Sequence, residues 1–114
     1  AALSGEVHSC MTLLEEDPAL SRGALAEQAG ADPDALSQAF KRELGVGLVA
    51  YRNRLRLRRF LELAASGRLT LLAACLEAGF GSYPQFHRVF VAETGQAPRA
   101  YLAAARARAG PRRA

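Results

Sequence analysis

The sequence predicts an all-α protein, with two helix-turn-helix units joined by a long connecting helix and about seven helices in all. Three observations favour this fold class. Alanine and leucine dominate the 114 residues and β-branched residues are few, a composition that favours helices over strands. Apolar residues recur at spacings of three and four, as on the buried face of a helix. The third observation is an internal repeat, in which the second half of the chain repeats the pattern of the first about fifty residues on.

A first helix and a first helix-turn-helix unit are predicted in the N-terminal half. The first helix runs from Ser4 to about Glu16, with three apolar residues on one face, Val7, Met11 and Leu14. The unit that follows covers about 20–45. Ser21 caps its first helix, and Asp32 caps its second. The second helix has a predicted buried stripe of four residues: Ala35, Leu36, Ala39 and Phe40.

The longest predicted helix covers about 48–65 and ends at Ser66 and Gly67. Arginines alternate with its apolar residues. Four of them point in several directions around the helix, so most are expected to be solvated or paired with the acidic first half: Arg54, Arg56, Arg58 and Arg59.

The second helix-turn-helix unit is predicted over about 70–95. Thr70 caps its first helix and Ser82 caps its second. The second helix carries an apolar stripe at helical spacing, made of Phe86, Val89 and Phe90. A terminal helix is expected over about 98–109, and the tail, 110–114, is expected to be frayed.

The formal charge of +4 is distributed unevenly. Residues 1–50 carry three basic and eight acidic side chains, a net −5, whereas residues 51–114 carry twelve arginines and three glutamates, a net +9. Arginine, which outnumbers lysine fourteen to one, suits bidentate contacts with phosphate and guanine. A basic half of this kind favours a nucleic-acid partner, and a solvated charged face is the ordinary alternative.

Other classes of function find no support in the sequence. Cys10 and Cys75 lie far apart with no Cys or His at metal-ligand spacing, which indicates small buried side chains in a reducing compartment. No signal peptide and no apolar run of about 18 residues is visible, so a cytoplasmic location without membrane contact is expected. No catalytic set, metal cluster or phosphate-binding loop is recognisable, so neither an enzyme nor a cofactor is predicted.

The stretch from Gly79 to Tyr101, GFGSYPQFHRVFVAETGQAPRAY, resembles the signature of the AraC family of bacterial transcription regulators. Nine residues carry the resemblance at the family's spacings: Gly79, Phe80, Ser82, Phe86, Arg88, Phe90, Gly95, Pro98 and Tyr101. Three of them have counterparts fifty residues earlier: Phe40, Gly45 and Tyr51. In the first helix of each unit the offset is forty-nine, so that Ala26 and Gly30 recur as Cys75 and Gly79, and the one-residue difference lies in the turn. The segment 51–61, YRNRLRLRRFL, resembles the family's connecting helix. The resemblance implies one DNA-binding domain over 1–114, with an effector-binding or dimerisation domain missing from this chain.

By position in the family motif, the recognition helices would be about 33–44 and 82–93. The implied candidates for contact with base edges are Asp34, Ser37 and Gln38 in the first helix and Tyr83, His87 and Arg88 in the second. The candidates for phosphate contact are Ser21, Lys41, Arg42, Thr70, Ser82 and Arg99. Ordinary alternatives exist: an ion pair of Arg88 with Glu93 or with a Glu of the neighbouring helix, packing of Tyr83 over the turn, and simple solvent exposure of His87.

The function that the resemblance implies is regulation of bacterial transcription by sequence-specific binding of double-stranded DNA. The two recognition helices would enter successive major grooves, about one helical turn or roughly 34 Å apart. The alternative is a degenerate module that keeps the fold but binds a protein such as RNA polymerase, which the negative charge of residues 1–50 favours slightly. RNA binding is a further alternative, but the aromatic sheet surface of common RNA-binding modules is not recognisable.

Overall fold

The computed structural model describes residues 3–109, and the predicted frayed tail at 110–114 lies outside the described residues. The described part of the chain forms seven helices and contains no strand. Their bounds are α1 Gly5–Glu16, α2 Arg22–Ala29, α3 Pro33–Leu44, α4 Leu48–Ala65, α5 Leu71–Glu77, α6 Tyr83–Thr94 and α7 Pro98–Ala109. The predicted all-α fold class is therefore confirmed.

Local capping explains where the helices begin. Five helices start after a side chain that accepts a hydrogen bond from a backbone N–H of the first turn: Ser4, Ser21, Asp32, Thr70 and Ser82. Such caps satisfy donors that the helix itself leaves unpaired. Both α3 and α6 end at a glycine in the left-handed conformation, Gly45 and Gly95. The second helices of the two units are thus bounded by the same local signals.

Two small hydrophobic cores share the helix α4. The first core lies among α1, α2, α3 and the start of α4: Val7, Cys10, Leu14, Leu25, Ala26, Leu36, Phe40 and Leu48. The second lies between the end of α4 and the last three helices: Leu57, Phe60, Ala74, Cys75, Ala78, Phe80, Phe86 and Phe90. Both cysteines are fully buried and free, as their sequence context predicted. Each helix-turn-helix unit therefore has its own core, and α4 connects them.

One detail of the predicted buried faces is wrong. Ala35 is exposed, because it precedes Leu36 by one position, about 100° around the helix, and falls outside the stripe that packs on α1 and α2. On α1, Met11 packs against the first core together with Val7 and Leu14, as its spacing predicted, and the neighbouring Cys10 is fully buried.

The internal repeat is visible as a repeated aromatic pair. Phe40 of α3 packs edge-on against Tyr51 of α4, with their ring centroids 5.2 Å apart. Phe90 of α6 packs in the same way against Tyr101 of α7, also at 5.2 Å. In both units the phenylalanine belongs to the second helix of the unit and the tyrosine to the helix that follows. Each pair therefore fixes that second helix to its successor.

The junction between the two halves is built around Arg56, the exception among the four arginines of α4 of which most were expected to be solvated or paired: Arg54, Arg58 and Arg59 are exposed. Arg56 is not solvated: only 4% of it is exposed. Its Nε donates to the carbonyl oxygen of Pro18 at 2.6 Å, and its guanidinium lies 5.8 Å from the ring centroid of Phe80. Burial lowers the pKa of Arg56 to about 10. The nearby positive charge of Arg52 lowers this pKa further, and the negative charge of Asp17 opposes the decrease. The side chain thus remains charged at neutral pH while it joins the α1–α2 loop to the second core.

The second contact at the junction is between backbones. Gly79 has a φ of +109°, and a Cβ placed on it would lie 2.9 Å from the backbone of Pro18 and Ala19. A side chain is therefore excluded at this position both by conformation and by space. The helices assemble into an elongated molecule with extents of 50 × 25 × 25 Å.

Candidate nucleic-acid interface

The second helix of each unit, α3 and α6, presents one polar face to solvent. Each buries two large apolar side chains four residues apart, Leu36 and Phe40 in α3 and Phe86 and Phe90 in α6. Because residues four apart share a face of a helix, the residues between them lie on the sides and the outside. The candidate base-contacting residues occupy these other positions, as the helical spacing predicted.

On α6, Arg88 is exposed and forms no ion pair within residues 3–109. The alternative that pairs it with Glu93 is not supported, because Glu93 lies 3.8 Å from Arg54 of the neighbouring helix α4. This leaves the guanidinium of Arg88 available in solution.

Tyr83 and His87 are half-buried neighbours at the start of the same helix. The ring of Tyr83 lies 5.5 Å from that of Phe86 and 6.2 Å from the imidazole of His87. Tyr83 therefore packs on the edge of the second core, in agreement with the packing alternative for this residue. Its partial exposure still leaves the side chain reachable from the outside of the helix.

On α3 the candidate residues are tied into a network that sequence reasoning missed. Arg22, the first residue of α2, donates from Nη1 to Asp34 Oδ1 at 3.0 Å and to Ser37 Oγ at 3.3 Å. Gln38 is exposed on the same helix. One signal in the sequence could have indicated this network. Arg22 is equivalent in the repeat to Leu71 of the second unit, so the first unit has a charged side chain where the second has an apolar one. That charge lies close to the acidic start of α3.

The candidate phosphate-contacting hydroxyls all act as helix caps. Ser21 accepts from the N–H of Ala24 at 3.1 Å, and Thr70 accepts from the N–H of Ala73 at 3.1 Å. Ser82 does the same with Gln85 at 3.2 Å. A capping hydroxyl uses an acceptor lone pair and keeps its proton, so it can still donate to an anionic oxygen. Its helix end also presents unpaired backbone N–H groups.

Three further cationic candidates are exposed around the recognition helices. Lys41 and Arg42 lie in the last turn of α3, where a positive charge is favourable near the helix C-terminus. Arg42 approaches Glu43 only to 4.0 Å. Arg99 lies in the first turn of α7, just after the end of α6. These side chains are free to reach an extended anionic partner.

None of the helices in the described part of the chain combines the length and the apolar character needed to cross a membrane.

Comparison with known proteins gives a consistent result. A family model described as a helix-turn-helix domain matches residues 25–104 of the 114. The C-terminal domain of AraT, a response regulator from Geobacillus stearothermophilus, superposes with a TM-score of 0.79 at 23% identity, covering 89% of this chain and 86% of that one. A protein of unknown function from Listeria innocua has the same TM-score and identity, with 86% of this chain and 95% of that chain covered.

No curated protein sequence matches this chain. The two solved structures share the fold, and the family model covers most of both helix-turn-helix units, from Leu25 to the middle of α7. The chain therefore belongs to the AraC-type helix-turn-helix family of DNA-binding domains that act in transcription regulation.

Proposed function

We propose that this chain binds double-stranded DNA sequence-specifically and regulates transcription by inserting α3 and α6 into successive major grooves. The observation that carries the proposal is the repeated unit: two amphipathic helices, each fixed to the next helix by a Phe–Tyr pair. Both helices leave polar side chains uncovered, and both are preceded by a capped helix N-terminus suited to a phosphate.

The dimensions of the molecule support engagement of two grooves. With 18 residues, α4 has a length of about 27 Å at a rise of about 1.5 Å per residue. The long axis of 50 Å accommodates two helices about one turn of DNA, roughly 34 Å, apart. The side chains proposed to read base edges are Asp34, Ser37, Gln38, Tyr83, His87 and Arg88. The proposed phosphate contacts are Ser21, Lys41, Arg42, Thr70, Ser82 and Arg99.

A salt titration of duplex binding tests the proposal. The fluorescence anisotropy of a labelled random-sequence duplex would be measured between 50 and about 300 mM salt, with a single-stranded RNA of equal length as control. If about four to six phosphates are contacted, log affinity should fall against log salt with a slope of about −4 to −5. Binding that is absent at low salt, or a slope near zero, would contradict DNA binding by this chain.

A second candidate function, contact with a protein such as RNA polymerase, is favoured by one observation. Leu72 and Leu76 lie four residues apart on α5, with 52% and 49% of their surfaces exposed. The equivalent residues of α2 are Gly23 and Glu27, so only the second unit has this apolar face. This function would be supported over DNA recognition if the chain bound no duplex in the titration and bound RNA polymerase in a separate binding measurement.

A further inference from the structure

Three side chains from two helices form a polar cluster on the outer side of the first unit. Nη1 of Arg22 lies 3.0 Å from Asp34 Oδ1 and 3.3 Å from Ser37 Oγ, so one nitrogen of α2 contacts two side chains of α3. The cluster is accessible, with 45% of the Arg22 side chain and 80% of the Asp34 side chain exposed. An ion pair this exposed adds little to the stability of a fold.

The repeat shows that the three residues occur together only in the first unit. The second unit has Leu71, Pro84 and His87 at the places of Arg22, Asp34 and Ser37. Neither the cation nor the acid is therefore needed to build the unit. An acidic residue at the start of a recognition helix is unfavourable beside phosphates, although it is favourable for the helix dipole. Arg22 supplies the charge that neutralises it.

We propose that Arg22 determines the sequence specificity of the first unit by holding Asp34 and Ser37 in the orientation that reads a base. Arg22 acts as a positioning residue. Its Nη1 donates a hydrogen bond to Oδ1 of Asp34, which leaves the second carboxylate oxygen, Oδ2, free to accept a hydrogen bond from DNA. In the major groove that donor is the N4 amino group of cytosine. The inference rests on the proposed function. It assigns a C·G pair to the base-pair position that faces the start of α3.

A double-mutant cycle on duplex binding tests the coupling. Arg22→Leu introduces the residue that the second unit has at this place, and Asp34→Ala removes the acid. We expect Arg22→Leu to weaken binding on the order of tenfold in the wild-type background, and less than about threefold with Asp34→Ala present. If Arg22 were an independent phosphate contact, the loss would be the same in both backgrounds, and this result would overturn the proposal.

Selection of binding sites from a pool of random duplexes measures the base preference at each position of the site. Loss of a positive charge that contacts only phosphate lowers the affinity for all sites and does not change this preference. Sites selected by the wild type should contain a C·G pair that Arg22→Leu no longer selects, while the positions facing α6 are kept. Lys41→Leu is the matched control, because it removes one cation from α3 itself and should weaken all sites about equally. An unchanged selected sequence for Arg22→Leu would overturn the proposal.

The experiment separates this inference from the proposed function. A wild-type chain that binds no duplex would overturn both. Additive losses, or an unchanged selected sequence, in a chain that does bind would overturn only the role of Arg22. The thermal melt of Arg22→Leu should lie close to that of the wild type, since the ion pair is exposed.

Discussion

Phe90 and Arg88 lie on different sides of α6 and illustrate how single residues divide stability from recognition. Phe90 is completely buried, and its ring contacts those of Phe60, Phe86 and Tyr101. Arg88 is exposed and unpaired within residues 3–109. The first side chain holds the helix in place, and the second is available to a partner.

Replacing Phe90 by alanine should therefore destabilise the protein by about 3–5 kcal/mol, through lost burial and the remaining cavity. Arg88→Ala should change the free energy of unfolding by less than about 0.5 kcal/mol, because the position is exposed. Urea denaturation of both variants, followed by circular dichroism, measures this difference. A strongly destabilised Arg88→Ala with a stable Phe90→Ala would mean that the two faces of α6 have been assigned the wrong way round.

Gly79 gives a second prediction at the scale of a residue. Gly79→Ala places a Cβ 2.9 Å from the backbone of the α1–α2 loop in a conformation with φ of +109°, so both strain and a clash oppose it. We expect a loss of about 2 kcal/mol or more in urea denaturation. Gly23→Ala is the control, since nothing lies within 4 Å of its Cβ position on α2. That variant should be neutral or more stable by up to about 1 kcal/mol.

At the scale of elements, α3 and α6 have the same boundaries but different outer faces. The start of α3 is acidic and is bridged to α2 through Arg22, whereas α6 has no acidic residue in its first turn. Its Glu93, near the opposite end, is neutralised by Arg54. The two recognition helices are therefore expected to contribute unequally to DNA binding.

The inequality can be measured with one exposed residue from each helix. Arg88→Ala on α6 should cost about 1–3 kcal/mol of specific binding, because a guanidinium contact to a base or phosphate is lost. Gln38→Ala, at the matching position of α3 fifty residues earlier, should cost less. Anisotropy titrations on a selected duplex provide the comparison, with circular dichroism to show that both variants are folded. Equal or reversed losses would reject the ranking.

At the scale of the whole molecule, the relative placement of the two units depends on more than α4. Arg56 connects the carbonyl oxygens of Pro18 and Leu20 in the first half with the ring of Phe80 in the second. The close approach of Gly79 to the α1–α2 loop is a second connection on the same side. These contacts fix the rotation of one unit about α4 relative to the other, and with it the geometry of the two recognition helices.

Arg56→Met should therefore loosen the two units relative to each other. The loss of charged hydrogen bonds costs about 1.5–3 kcal/mol, partly offset because a charge no longer has to be buried. Amide residual dipolar couplings from both cores should fit one alignment tensor in the wild type and require two in Arg56→Met. Arg58→Met, an exposed arginine two residues further along α4, is the control. One common tensor for Arg56→Met would show that Arg56 is not needed to fix the geometry.

Much of this architecture could be predicted from the sequence because its signals are local. A cap such as Ser82 bonds a backbone N–H three residues away, at Gln85. A stripe such as Phe86 and Phe90 is defined by helical periodicity. These interactions are encoded within a few residues, so seven helices, their caps and most of the buried faces could be read without tertiary information. The internal repeat also showed that α3 and α6 occupy equivalent positions in the two units.

The interactions that join helices were decided only by the tertiary structure. Arg56 looked like one of several solvated arginines, yet it bonds Pro18, 38 residues away in the sequence. Arg22 contacts Asp34 and Ser37 across the turn, 12 and 15 residues on. Composition and periodicity show which side of a helix is polar, but they do not show which polar side chain a docked neighbour covers or reaches. That depends on how the helices pack, and packing determines whether an arginine meets water, a carbonyl group or a carboxylate.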